Sequence, residues 1–147
     1  MSQIRADAQE PDAQRRPRGP DARPLSPHLQ VWRWHITMFC SILNRATGIA
    51  LYGGLLILAG WALALGAGPD AYGWYMGLLG SVIGRIVMFG LTFSLFFHLA
   101  GGIRHLVWDV GYGYDPKVAD MTGAAAIAFA VAATIAIWYL AWMMGAL

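Results

Sequence analysis

The chain has 147 residues, 58% hydrophobic and 12% charged, with a formal net charge of +2 and a mean hydropathy of +0.51. No soluble core of this size could absorb so much apolar surface, so the composition excludes a soluble domain and indicates an integral membrane protein. The single cysteine, Cys40, excludes an intrachain disulfide, an iron–sulfur cluster held by this chain and a thiolate zinc site.

Residues 1–30 are rich in Pro, Ala, Arg and Asp, with almost no large apolar side chain, and are expected to form a disordered cytoplasmic tail. They hold no apolar h-region of a signal peptide, and Asp7, Glu10, Asp12 and Asp21 argue against an acid-poor transit peptide. The Arg15-Arg16-Pro17-Arg18 cluster reads as solvated tail or as a contact with anionic lipid. From His28 to Met38 the composition turns aromatic, and Trp32 and Trp34 suit a membrane-interface anchor.

Residues 31–147 are expected to form a three-helix transmembrane anchor, with helices near 38–66, 80–108 and 121–146. No charged residue lies between Arg45 and Asp70, between Arg85 and Arg104, or after Asp120. Each span reaches or nearly reaches the ~20 residues that cross ~30 Å of hydrocarbon. Breakers separate the spans at Gly66-Ala67-Gly68-Pro69-Asp70 and from Gly111 to Pro116, so both connections are expected to be loops. Seven arginines lie from the N-terminus through Arg45, whereas Leu65 to Ser81 holds neither Lys nor Arg. That asymmetry predicts a cytoplasmic (or matrix) N-terminus and second loop, with the C-terminus outside. Trp34, Trp108 and Tyr112 then form an inner aromatic belt, and Tyr72, Trp74, Tyr75, Trp138, Tyr139 and Trp142 an outer one.

Polar groups within the spans gather on one side. His98 follows a long uncharged, mostly apolar run, Ile86 to Phe97, and lies roughly 9 Å from Arg104 along the helix. An ionisable, metal-competent side chain at that depth is costly and marks a candidate site. His98, Gly101, Gly102 and His105 fall on one stripe. The stripe reads either as an axial histidine with a glycine notch for a flat macrocycle, or as packing glycines beside a hydrogen-bonded histidine. Ser41 and Arg45 share a face of the first helix, with Gly48 one turn on, and Arg45 could equally snorkel to the interface. One chain offers one good axial ligand, so a six-coordinate haem needs a second from a partner.

At these residues a family resemblance becomes specific. Ser41 to Gly48 (S-I-L-N-R-A-T-G) resembles the S-I-x-H-R-x-[ST]-G motif that opens the cytochrome b subunit of succinate dehydrogenase. His98 to Gly111 (H-L-A-G-G-I-R-H-L-V-W-D-V-G) is similar to that family's H-x-x-x-G-x-R-H-x-x-x-D-x-G motif, and Arg23 to Leu29 to its N-terminal approach. The resemblance implies three transmembrane helices forming half of a haem-binding bundle, in an all-α integral membrane anchor. It implies partners: a second membrane-anchor subunit that supplies the other haem ligand, an iron–sulfur subunit and a flavoprotein subunit, with membrane lipid around them and no nucleic acid. It implies haem b on His98 as axial iron ligand, and ubiquinone facing Ser41 and Arg45 with Ile42 and Trp34 lining its entrance. Arg45 and His105 would serve the haem propionates, His105 with the polar surface as its other reading. Asp109 reads as a route for protons or as a solvated helix-end acid. The chain departs from the motif at Asn44, where the family has His. Asn keeps a hydrogen-bond donor but no positive charge, so propionate contact and proton transfer are not carried over to that position.

The expected setting is a bacterial inner membrane, with the mitochondrial inner membrane as the other possibility. Two rival functions remain open on the sequence: the anchor of a quinol:fumarate reductase, and a non-redox three-helix anchor in which His98 only packs.

Overall fold

A computed structural model describes residues 33–145. The expected tail, the arginine cluster, the approach segment and Trp32 lie outside them. The helical body begins at Trp34 and contains four helices: α1 (Ile36–Ala67), α2 (Pro69–Gly80), α3 (Val82–Asp109) and α4 (Pro116–Met143). Of these, α1, α3 and α4 are long and apolar enough to cross a membrane. At 1.5 Å per residue, a helix of 32 residues such as α1 spans roughly 48 Å, well beyond ~30 Å of hydrocarbon. Its ends therefore reach headgroup level.

The connections differ from the expected loops. Gly68, at φ 113°, stops α1, and Pro69 immediately opens α2 at its first turn. The breakers thus punctuate two helices rather than mark a loop. Tyr75 of α2 donates its hydroxyl to the Ile57 carbonyl at 2.7 Å, pinning α2 along the end of α1. Gly80 belongs to α2, not to the first turn of the next span. Ser81 is extended and accepts a bond from the Gly84 N–H at 3.1 Å, capping α3. On the other side of the membrane, α4 starts at Pro116 rather than near 121. Asp115 accepts from the Lys117 and Val118 N–H groups at 3.0 and 3.3 Å, and proline at N1 loses no bond it would have made. The short turn before it is ordered: Trp108 Nε1–H donates to the Gly113 carbonyl at 3.1 Å, and the Tyr114 hydroxyl to the Trp108 carbonyl at 2.8 Å.

The three long helices run up, down and up. Pairing of Asn44 with Gly101, Gly48 with His98 and Gly54 with Leu91 sets α1 antiparallel to α3. Phe96 edge-on to Phe129, and Phe89 edge-on to Trp138, does the same for α3 and α4. Small residues let the backbones close: Ala119, Gly123, Ala126, Ala130 and Thr134 form the buried stripe of α4. Cys40, Phe97, Ala126 and Ala130 make the centre of the core. Within the most apolar windows only 0%, 11% and 17% of α1, α3 and α4 are buried. Most of their apolar surface therefore faces outward, toward lipid or another membrane subunit.

Gly60 is needed where α2 meets α1, because a Cβ there would stand 2.8 Å from the Tyr75 hydroxyl. Gly53 has open space instead. Gly60→Ala should lower the thermal stability of the purified assembly by roughly 1–3 kcal/mol through overpacking. Gly53→Ala, by contrast, should be neutral or slightly stabilising.

Candidate functional site

Antiparallel packing brings polar side chains of three helices to one level. Thr37, Ser41 and Asn44 recur at helical spacing on α1 and line a cleft of about 90 Å³ with Gly101, Arg104, His105 and Trp108 of α3 and Gly123 of α4. Asn44 Oδ1 is buried there without a hydrogen-bond partner. It stands 2.5 Å from where a Cβ would project at Gly101, so Gly101 is a packing glycine that admits Asn44. Asn44 thus turns inward against α3. On α4 the corresponding close approach is Cys40 Sγ, 3.2 Å from a Cβ position at Gly123.

His98 sits two turns from His105, deeper in the bundle. Its Nδ1 lies 3.2 Å from the Asn44 carbonyl oxygen and 3.5 Å from Thr47 Oγ1. A carbonyl only accepts, so Nδ1 carries the proton and donates it. In a neutral imidazole that leaves Nε2 with its lone pair. Gly48 makes room for the ring, since a Cβ there would stand 3.1 Å from Cε1. The two readings of the His98–His105 stripe are therefore compatible. His98 does hydrogen-bond a neighbouring helix, and the bond it makes is the one that frees the opposite nitrogen. The expected glycine notch needs correction: Gly101 is filled by Asn44, while Gly102 is exposed with open space around it.

Three of the expected site residues, Ser41, Ile42 and Arg45, come together within one turn on the exposed side of α1. Ser41 is also on the rim of the cleft. Ile42 is 50% exposed, and Trp34, just ahead of the helix, is 65% exposed. Arg45 makes no hydrogen bond or ion pair with another described residue. His105 is exposed and stands edge-on to Trp108, ring centroids 5.2 Å apart. It lies roughly 10 Å along α3 from His98, at a different level of the bundle.

Sequence reasoning missed three contributors. Arg104, read as a charge ending a span and as part of the His98–Gly111 motif but given no contact, donates from Nε to Thr122 Oγ1 at 3.1 Å and from Nη2 to the Ala119 carbonyl at 2.8 Å. Its guanidinium also lies 3.9 Å from the centre of the Trp108 ring. It thereby ties α3 to the first turns of α4; its spacing of three from buried Gly101 was the available signal. Thr47 and Gly48 were missed as neighbours of His98, because the facing register of two helices is not written in either one.

Among the described residues no three His, Cys, Asp or Glu side chains converge as a metal centre. A haem brings four nitrogens of its own and asks the protein only for axial atoms. A buried-side imidazole with Nδ1–H committed to a backbone carbonyl and Nε2 bare fits that requirement. So does open space at Gly102, one turn along, where a flat group can approach the backbone.

Fold and site define a class: an all-α, multi-pass membrane subunit with its polar residues gathered at one end of a three-span bundle. The sequence model of the succinate dehydrogenase/fumarate reductase transmembrane subunit family matches residues 20–137, and the chain belongs to that family. It is 38% identical over 109 residues to the succinate dehydrogenase cytochrome b556 subunit of Paracoccus denitrificans, covering 74% of this chain and 84% of that protein. To the subunit of the same name from Rickettsia felis it is 34% identical over 116 residues, covering 79% of this chain and 90% of the relative. The mitochondrial succinate dehydrogenase cytochrome b560 subunit of Mus musculus is 37% identical over 111 residues, covering 74% of this chain and 66% of the mouse protein. Membership makes this chain the membrane part of an enzyme complex.

Proposed function

We propose that this chain is the cytochrome b anchor of a succinate:ubiquinone oxidoreductase, binding haem b through His98 and forming part of the ubiquinone-reduction site at Ser41 and Arg45. The observation that carries the reading is the His98 ring, whose Nδ1–H is committed to the Asn44 carbonyl at 3.2 Å, so that Nε2 is left to ligate iron. The other haem ligand would come from a second membrane-anchor subunit, because the further histidines among the described residues, His35 and His105, lie at other levels of this chain. The sparse burial of the three spans supports such a partner.

Ser41 and Arg45 hydrogen-bond a quinone carbonyl oxygen and stabilise the negative charge that develops as electrons arrive. Exposure of both side chains, and the lack of a partner for Arg45 among the described residues, supports that role. Ile42 and Trp34 form the apolar entrance. His105, with Arg45, serves the propionate side of the haem. Haem, when bound, supplies a one-electron store beside the quinone and a link between the two anchors. An iron–sulfur subunit delivers the electrons and, with a flavoprotein subunit, docks on the cytoplasmic face. The setting is a bacterial inner membrane with the N-terminus in the cytoplasm, as the arginine distribution supports.

The family model spans both directions of the reaction, so quinol:fumarate reductase is the alternative, set by quinone and partners rather than by this chain. The deciding experiment is a reduced-minus-oxidised absorption spectrum of the purified membrane complex, with mass spectrometry of its subunits. A b-type band and a co-purifying flavoprotein are expected. A complex with neither would leave only a non-redox anchor.

A further inference from the structure

We propose that Thr47 and Gly48, adjacent on α1, are positioning residues for the His98 imidazole: Gly48 sets the plane of the ring, and Thr47 helps set which nitrogen keeps the proton. The inference rests on the reading of His98 as an axial ligand and concerns how this chain aims it.

The steric half is local. A Cβ at position 48 would stand 3.1 Å from Cε1, 3.6 Å from Nδ1 and 4.0 Å from Nε2 of His98. Those three atoms form the edge that bears both nitrogens, so the backbone of α1 lies directly against it. A ring resting on a rigid helix backbone has little freedom to turn. Gly53, on the same helix, has nothing within 4 Å of its Cβ position, and of the α1 glycines it is Gly48 that lies against the His98 ring.

The polar half concerns Nδ1. Thr47 is 3% exposed, and its hydroxyl hydrogen is already directed to the Leu43 and Asn44 carbonyls at 2.9 and 3.0 Å. Toward His98 it therefore has only lone pairs to offer. Nδ1 faces two acceptors, the Asn44 carbonyl at 3.2 Å and Thr47 Oγ1 at 3.5 Å. A bare Nδ1 would meet oxygen on both sides with no hydrogen between, so the proton is held on Nδ1 and Nε2 is presented. An imidazole hydrogen-bonded in this way is the stronger electron donor to a bound metal and favours its oxidised state.

The test uses the purified, assembled complex. Gly48→Ala should shift the low-spin electron paramagnetic resonance signal of the haem, or yield a complex that assembles without haem. Gly53→Ala should leave the signal as in the wild type. Thr47→Val, equal in volume and without an acceptor, should move the haem midpoint potential upward at unchanged haem content, and Thr47→Ser should restore it. If Thr47→Val does not assemble, Thr47→Ala is read the same way. A wild-type signal in Gly48→Ala, or a wild-type potential in the hydroxyl-free variant, overturns the proposal. So does an equal shift in Thr47→Ser, which would mean packing alone. His98→Ala separates the two claims. If it keeps the b-type band, the axial reading fails first. If it loses the band while the Gly48 and Thr47 variants stay silent, only the positioning role is lost.

Discussion

Replacing His98 with alanine is expected to remove the b-type absorption of the assembled complex. Losing even a hydrogen-bonding partner of a ligating histidine typically costs 10–100-fold in metal affinity, so losing the imidazole itself should cost at least about 100-fold. The substitution also leaves the Asn44 carbonyl and Thr47 with one contact fewer, but both keep their bonds within α1. The scaffold should therefore survive well enough for the spectrum to be read, and co-purification of the other subunits checks that it has. His105→Ala is the control on the same helix, and should retain the band, since His105 stands at the cleft beside Trp108 rather than at Gly48. An unchanged spectrum in the His98 variant would move the ligand elsewhere.

The second large effect is expected at Arg45. Arg45→Ala should cut electron transfer from succinate to ubiquinone by about 100-fold, the scale seen when one preorganised donor to a developing negative charge is removed. Succinate oxidation with a water-soluble artificial acceptor should be unaffected. The contrast is clean because Arg45 is exposed and pairs with no other described residue. Its loss should change stability by no more than about 0.5 kcal/mol. Arg45→Lys, which keeps the charge but not the two-pronged donor geometry, should recover activity only in part. If both activities fell together, the effect would lie in assembly and the quinone role would be wrong.

Of the fold, the three spans were legible because charge-free apolar stretches of that length have one stable use. What misled was punctuation. Gly68-Pro69 and Asp115-Pro116 read as loops, yet each proline opens a helix, since the first turn of a helix needs no N–H from it. The same residues that end one helix can start another, and only packing, here Tyr75 on the Ile57 carbonyl, decides whether the second one is used. At the site, spacing along α1 put Ser41 and Arg45 on one face, and the uncharged run ahead of His98 marked it as a candidate. The family resemblance gave each its expected role. Spacing could not separate Gly101, which is filled by Asn44, from Gly102, which is open, because their difference is made by α1.

By itself, then, the sequence determined a membrane protein of three spans with its polar residues at one end, since hydrophobicity and charge are sums over residues and need no coordinates. The tertiary structure alone decided that Gly48 and Thr47 lie against His98, that Asn44 faces inward, and that Arg104 is tied to α4. Those facts depend on the register between antiparallel helices. That register is set by where small side chains let two backbones meet, a property of the pair rather than of either strand of sequence.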